Sequence, residues 1–150
     1  MSAAQAPSDE EEKLYMEEIP YANVVGCIMY AMVCTMPNIA YVVNVVNQFI
    51  ANLRKAHWHT LKWTLRYLRG SLSIGLSYQD TAKMEDVIIG FVDSYYARSI
   101  DTRKSFSSYI FTFFRGSVSW KASLQKVVAL FITEAEFVPT IEAIKKVLWL

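Results

Sequence analysis

G-F-V-D-S-Y-Y-A, residues Gly90–Ala97, is the stretch that decides the fold of this 150-residue chain, together with A-L-F-I-T-E-A-E-F at Ala129–Phe137. The first stretch continues a β-branched and aromatic run that predicts a strand, and Asp93 closes that run. In the second, Glu136 follows Thr133 by three residues, a spacing typical of a helix N-terminus. Two such carboxylates can converge on a hard divalent cation such as Mg²⁺. A solvated turn aspartate and a capping glutamate are the alternative interpretation.

Apolar residues recur with a period close to two from Ser71 onward, which predicts strands near Ile74–Tyr78, Val87–Asp93, Ser107–Phe114 and Ser117–Lys121. Arg115-Gly116 separates the last two runs and predicts a hairpin turn. A helix is expected from Glu134 to Trp149, with a kink at Pro139. Three helices are expected to precede the strands, at about Tyr21–Cys34, Asn38–Asn52 and Ala56–Leu68. The predicted fold class is α+β, with a helical N-terminal segment followed by antiparallel strands and one helix.

Ile19–Leu53 contains no charged residue, which raises the alternative of a small membrane-associated or protein-interaction polypeptide that acts through residues 19–53. Pro37-Asn38 interrupts this run. Beyond it, apolar residues fall at three-and-four spacing, with Tyr41, Asn44 and Gln48 on the opposite side. This pattern indicates an amphipathic helix with one buried face, so membrane association is the less favoured interpretation.

The charges are unevenly distributed, although the formal net charge is only +1. Residues 1–18 form an acidic lead-in that is expected to be flexible or loosely helical. Residues 19–150 carry fourteen basic groups against eight acidic groups. That imbalance favours a polyanionic partner.

One face of the third helix is predicted to be basic, because its charged and titratable residues recur at spacings of four and three: Lys55, His59, Lys62, Arg66 and Arg69. An ordinary solvated face mixes signs, whereas this helix has no acidic residue. We therefore expect sequence-independent contacts with the phosphates of a nucleic acid. The buried side of the same helix is predicted to consist of Trp58, Leu61, Leu65 and Leu68.

Cys27 and Cys34 are expected to be reduced core residues, which suits a cytoplasmic or nuclear location. The N-terminus is acidic, so it does not predict a signal peptide. His57 and His59 are predicted to lie on different faces of one helix without a cysteine or carboxylate partner. That arrangement disfavours a zinc site.

Several blocks of the chain resemble the Pol polyprotein of copia-type LTR retrotransposons, and they occur in the same order. The blocks are I-P-Y-A-N-V-V-G-C-I-M-Y-A-M-V-C-T-M-P-N-I-A at Ile19–Ala40, H-W-H-T-L-K-W-T-L-R-Y-L-R-G at His57–Gly70, F-V-D at Phe91–Asp93, D-T-R-K-S at Asp101–Ser105, V-S-W-K-A-S-L-Q at Val118–Gln125 and T-E-A-E-F at Thr133–Phe137. They resemble the end of the reverse transcriptase and the first half of the ribonuclease H domain. The resemblance implies a three-helix, thumb-like segment over residues 19–70 and a truncated ribonuclease H-like domain over residues 71–150.

The family activity that the resemblance implies is two-metal hydrolysis of the RNA strand in an RNA–DNA hybrid. Asp93 and Glu136 match the family's catalytic carboxylates, so the resemblance implies that they are ligands for Mg²⁺. Arg103 and Lys104, in the D-T-R-K-S block, are expected to contact a nucleic-acid backbone. Reverse transcription belongs to the same family, but no Y-x-D-D polymerase motif occurs in this chain.

Departures from the family pattern predict that Asp93 and Glu136 are vestigial. The family's further carboxylates would fall beyond Leu150, and two carboxylates are too few to hold a metal pair. Tyr95 stands in place of a family aspartate, and Arg98 in place of a glycine. We therefore expect a catalytically inactive, truncated copy with residual nucleic-acid binding. An unpaired sheet edge is expected to promote self-association.

Overall fold

The computed structural model describes residues 10–51, 53–78 and 87–150. The chain divides into two compact units, Met1–Gly75 and Leu76–Leu150. The first unit contains helices and the second contains an antiparallel sheet and one helix, which confirms the predicted α+β class. Residues 1–9 of the acidic lead-in lie outside the described residues, as do Asn52 and residues 79–86.

The helices of the first unit are α1 (Glu10–Glu17), α2 (Tyr21–Cys34), a 3-10 turn (Pro37–Ile39), α3 (Ala40–Asn47) and α4 (Lys55–Gly70). The second unit contains β1 (Ile89–Tyr95), β2 (Phe106–Phe113), β3 (Gly116–Leu124) and α5 (Ile132–Val147). The prediction for α2 is confirmed, and α1 shows that part of the lead-in is helical. The prediction of a single helix over Asn38–Asn52 is wrong in detail, because this segment forms the 3-10 turn followed by the shorter helix α3.

The uncharged segment supplies most of the core of the first unit. The buried apolar side chains of that core are Met16, Tyr21, Val25, Ile28, Ile39, Val43, Val46 and Leu61. Tyr21 joins α2 to α3, because its hydroxyl donates a buried hydrogen bond of 3.0 Å to the Val46 carbonyl. Burial raises the pKa of Tyr21 to about 12, so the hydroxyl stays protonated. Each apolar face therefore packs on another helix, as the amphipathic pattern predicts.

Among the residues that the structure describes, no helix is both long enough and apolar enough to cross a membrane. Val43, in the second half of the uncharged segment, is 2% exposed and belongs to the core.

The row of α4 that faces the core differs from the predicted one. His57, Leu61 and Thr64 are buried, whereas Leu65 is exposed. The buried His57 ring has a stacking partner on one face and a hydrogen-bond partner at one of its nitrogens. The ring stacks on Phe49 with centroids 4.4 Å apart, and Nδ1 accepts a 3.2 Å hydrogen bond from the backbone N–H of Arg54. The hydrogen bond caps the start of α4 and requires neutral imidazole.

His57 makes the first unit sensitive to acid. Burial lowers the pKa of His57, and the nearby charge of Arg54 lowers it further. The unfolded chain therefore takes up this proton more readily than the folded chain. The stability due to neutral His57 is complete above the ordinary histidine pKa of about 6.5 and is lost as the pH falls below it.

We predict that the free energy of unfolding falls between pH 7.5 and pH 5.5, by at most about 1.4 kcal/mol for each pH unit below 6.5. Urea unfolding at the two pH values measures this difference. His57→Asn keeps an acceptor near Nδ1 and does not titrate, so its unfolding should depend less on pH. His59→Gln is the matched control, because His59 is exposed, and this variant should retain the full dependence. An equal pH dependence of the wild type and His57→Asn would refute the assignment.

The sheet of the second unit is antiparallel with strand order β1-β2-β3. Asp93 does not end its strand as predicted, because β1 continues to Tyr95 and pairs Asp93 with Ser108. The strand predicted over Ile74–Tyr78 is wrong, since these residues form no regular secondary structure. The Tyr78 hydroxyl instead donates a 2.8 Å hydrogen bond to the Ser117 carbonyl. A side-chain anchor thus replaces the expected ladder of backbone hydrogen bonds.

The predicted hairpin between β2 and β3 is confirmed, but its turn lies one residue earlier. Phe113 pairs with Gly116, so Phe114 and Arg115 form a two-residue turn. Both turn residues have positive φ, at 46° and 60°. Two-residue turns with this backbone match the twist of the strands, although asparagine and glycine are the usual residues there. Gly116 is needed for a different reason, because a side chain at that position would collide with the ring of Tyr78.

Candidate nucleic-acid interface

The five predicted basic residues of α4 lie on the side opposite its buried row. Lys55, His59, Arg66 and Arg69 are exposed, and Lys62 is half-buried. With 3.6 residues per turn, their spacing of four and three keeps them on one stripe along the helix. No acidic residue occurs within α4. The structure therefore brings these five residues together as one positive surface, which we call the basic stripe.

The acidic helix α1 contacts the N-terminal end of the basic stripe. A Glu12 carboxylate oxygen accepts a 2.8 Å hydrogen bond from the backbone N–H of Lys55. The Lys55 ammonium lies 5.3 Å from the centroid of the Tyr15 ring. A carboxylate at this place also complements the positive end of the α4 dipole. Lys55 is thus partly engaged within the chain, whereas His59, Arg66 and Arg69 are exposed.

Two aromatic residues, which the sequence pattern did not single out, lie beside the basic stripe. Trp63 is 65% exposed and Tyr67 is 50% exposed. The Arg66 guanidinium lies 4.8 Å from the centroid of the Trp63 ring, and Asn38 hydrogen-bonds the Tyr67 hydroxyl. Trp63 and Tyr67 are four residues apart, so they lie above one another on the helix. Their position beside Lys62 and Arg66 was the available signal.

Arg103 and Lys104 lie in the loop that joins β1 to β2. Arg103 is exposed with a φ of 56°, and its backbone N–H donates a 2.8 Å hydrogen bond to the Ser99 carbonyl. The Lys104 carbonyl accepts a 3.0 Å hydrogen bond from the Ser99 backbone N–H. These bonds hold a compact loop that presents Arg103 to solvent. Contact between this pair and a nucleic acid stays a prediction.

Tyr95, at the end of β1, and Arg98, in the loop that follows, contact each other. The Arg98 guanidinium lies 5.2 Å from the centroid of the exposed Tyr95 ring. Such a cation–aromatic contact is worth about 0.5–1 kcal/mol at an exposed site. The two side chains therefore stabilise each other's position at the surface of the second unit.

Gln125, which follows β3, connects the sheet to α5. Its side-chain nitrogen donates hydrogen bonds of 2.8 Å to the Ser107 hydroxyl and 2.7 Å to the Ala135 carbonyl. Ala135 precedes Pro139 by four residues, and proline has no N–H to donate to that carbonyl. The helix nevertheless runs through the buried Pro139 to Val147. Gln125 therefore supplies the donor that Pro139 lacks.

We predict that Gln125→Leu lowers the free energy of unfolding by about 1–3 kcal/mol, because it leaves the Ala135 carbonyl buried without a donor. In a Pro139→Ala background the helix supplies its own N–H, so the same substitution should cost about 1 kcal/mol less. Urea unfolding of the four chains gives this coupling. Lys126→Leu, at an exposed neighbouring position, should change stability by less than about 0.5 kcal/mol. Strictly additive effects of the Gln125 and Pro139 substitutions would contradict the assignment.

The start of α5 also differs from the predicted capping pattern. The helix begins at Ile132 after Phe131, so Thr133 is not its cap. Glu134 instead accepts a 2.7 Å hydrogen bond from the Leu130 backbone N–H. This carboxylate stands in the first turn, where it complements the positive end of the helix dipole.

Asp93 and Glu136 are both exposed. Ser107 faces Gln125 and α5, and side chains alternate along a strand, so Ser108 and its partner Asp93 point to the other face of the sheet. Glu136 lies on α5. Carboxylate oxygens are the ligand type that Mg²⁺ prefers. Joint binding of Mg²⁺ by this pair stays a prediction.

The histidines lie where the sequence predicts, whereas the cysteines do not. Cys27 and Cys34 are free, but they are exposed on α2 and are not core residues. The prediction that His57 and His59 lie on different faces is confirmed, because the first is buried and the second is exposed. Within the described ranges, no group of three or more histidine, cysteine, aspartate or glutamate residues could hold a metal ion.

The chain has clear relatives among known proteins. It is 44% identical, over all 150 residues, to the retrovirus-related Pol polyprotein from transposon TNT 1-94 of Nicotiana tabacum, and it spans 11% of that protein. It is also 31% identical over 117 residues to the retrovirus-related Pol polyprotein from transposon RE1 of Arabidopsis thaliana. That match covers 78% of this chain and 8% of the polyprotein.

A third relative has nearly the same extent as this chain. The secreted RxLR effector protein 161 of Plasmopara viticola is 39% identical over 137 residues, which cover 90% of this chain and 94% of that protein. No family model and no solved structure matches the chain. The chain therefore belongs to the sequence family that these proteins share, which comprises retrovirus-related transposon Pol polyproteins and proteins similar to a part of them.

Proposed function

We propose that this chain is a retrotransposon Pol-derived polypeptide that binds nucleic acid without sequence preference through the basic stripe of α4. The observation that carries the proposal is the arrangement of Lys55, His59, Lys62, Arg66 and Arg69 opposite the buried row, on a helix without acidic residues. Lysine and arginine in such a stripe contact phosphates and release counterions, which gives affinity without reading the bases.

The proposal extends to the origin of the two units. The sequence blocks are similar to copia-type Pol, and the order of helices followed by an antiparallel sheet and a helix is consistent with the end of a reverse transcriptase followed by the start of a ribonuclease H-like domain. In the full-length relatives, whose names identify them as Pol polyproteins, this chain corresponds to about a tenth of the length. An RNA–DNA hybrid is accordingly the first nucleic acid to test.

We further propose that the chain does not cleave such a hybrid. Two-metal hydrolysis requires carboxylates that are held in register around the metal ions. Asp93 and Glu136 are both exposed to water. Asp93 points to one face of the sheet, and Glu136 belongs to α5, which packs on the other face. Exposed side chains of this kind are poorly restrained. This supports a binding function over a catalytic one.

The alternative function, a membrane-associated or protein-interaction polypeptide that acts through residues 19–53, is less favoured. Six apolar side chains of that segment are buried in the core of the first unit and six more pack against it, so these are not available to a lipid or a partner. Val43 belongs to this core. A charge placed there, as in Val43→Asp, would therefore destabilise the unit whether or not the chain binds a membrane.

We predict that the full chain binds a 20-base-pair RNA–DNA hybrid with an affinity that falls steeply with salt and does not depend on sequence. Fluorescence anisotropy between 25 and 200 mM salt (roughly the range in which phosphate contacts dominate) measures the slope of log affinity against log salt. Replacing Lys62, Arg66 and Arg69 with glutamine should reduce that slope by about 2 to 3, because each contact contributes about one unit.

A matched control separates the basic stripe from net charge. Glutamine at Lys126, Lys145 and Lys146 removes the same charge from the second unit and should leave the slope within about 0.5 of the wild-type value. Equal losses in the two triple variants, or binding that salt does not weaken, would refute the assignment of the stripe.

Cleavage of the same hybrid tests the second part of the proposal. We predict no cleavage with Mg²⁺ or Mn²⁺, by the wild-type chain or by the Asp93→Asn and Glu136→Gln variants, as measured on a labelled RNA strand. Cleavage by the wild type that either substitution abolishes would show that the carboxylate pair is a working metal site and that the chain is an enzyme.

A further inference from the structure

Trp63 and Tyr67 form an aromatic stripe that runs along α4 beside the basic stripe. The two residues are separated by one helical turn, which places them about 6 Å apart along the helix axis. Lys62 and Arg66, which precede each of them by one residue, belong to the basic stripe. The outer surface of α4 thus presents positive charge along one line and aromatic rings along the neighbouring line.

Trp63 and Tyr67 are exposed, yet a neighbouring side chain holds each ring in place. Trp63 is 65% exposed on a helix whose other tryptophan, Trp58, packs against the core. Arg66 covers part of the Trp63 ring at 4.8 Å, and the exposed fraction shows that most of the ring still faces solvent. Tyr67 is held at its hydroxyl by Asn38. Both rings are therefore oriented before any ligand binds, which lowers the entropy cost of stacking on them.

A single strand of nucleic acid has the chemistry that fits both stripes. Its phosphates lie along one side and its unpaired bases along the other, and each base has a flat face that can stack on an aromatic ring. In a duplex the same faces are already stacked on neighbouring base pairs, so only the phosphates are available to a helix surface. A duplex would use the basic stripe and leave Trp63 and Tyr67 without a partner.

We propose that α4 binds single-stranded nucleic acid, with phosphates on the basic stripe and unpaired bases stacked on Trp63 and Tyr67. This inference rests on the proposed function, because it assigns the class of nucleic acid that the basic stripe takes. Stacking contributes on the order of 1–3 kcal/mol per base, and it tolerates every base. The site therefore selects unpaired strands without selecting a sequence.

Three probes of equal length test the inference with the full chain: labelled dT20, a 20-base-pair DNA duplex and a 20-nucleotide abasic strand that keeps the phosphates and lacks bases. We expect dT20 to bind about tenfold more tightly than either of the other two at low salt. Trp63→Leu should weaken binding of dT20 about tenfold, leave binding of the duplex and the abasic strand within about twofold, and leave the salt slope unchanged. Trp63→Phe keeps an aromatic ring and should restore most of the loss.

Trp149→Leu is the matched control, since Trp149 is 87% exposed in the second unit and its loss should affect none of the probes. Equal binding of the three probes, with no effect of Trp63→Leu, would overturn the stacking assignment and leave the proposed phosphate binding intact. Failure of all three probes to bind at low salt would overturn both. Because Trp63 is exposed, circular dichroism of the Leu and Phe variants should match the wild type and confirm that folding is unchanged.

Discussion

The Gln125 side-chain amide bonds α5 to the sheet at the one turn of the helix where Pro139 removes a backbone hydrogen bond. A proline within a helix removes one donor and leaves the carbonyl four residues earlier unsatisfied. Here that carbonyl belongs to Ala135, whose side chain is fully buried, so water cannot repair the loss. The Gln125 nitrogen reaches both this carbonyl and Ser107 of the central strand. Gln125 therefore helps to fix the position of α5 on the sheet, and with it the position of Glu136.

The sequence predicted the kinds of elements better than their details. The α+β class, α2, the hairpin and the basic stripe follow from periodicity, because the burial of one face imposes that periodicity on the residues. The buried row of α4 was missed because hydropathy favours Trp58 and Leu65 over His57 and Thr64. His57 is buried only because Phe49 and the Arg54 backbone N–H are positioned to receive it. Such partners come from tertiary structure and leave no local pattern.

The turn at Phe114-Arg115 and the cap of α5 were missed for a related reason. Positive φ at bulky residues is disfavoured locally, so a sequence pattern assigns the turn to the neighbouring glycine. Gly116 is in fact required by the ring of Tyr78, which approaches from a segment distant in sequence. In the candidate interface, the charges were predictable from spacing, whereas the exposure of Trp63 and Tyr67 depends on how α4 is rotated against the core. That rotation is fixed by His57 and Leu61.

The contact between α1 and the start of α4 limits how much of a strand one molecule can occupy. The sixteen residues of α4 give a helix about 24 Å long, and Glu12 engages its first turn. About 18 Å of the helix then remain. Under the proposed binding of a single strand, one molecule would contact only the few nucleotides that span this length. A long strand would therefore be contacted in separate short stretches, one for each bound molecule.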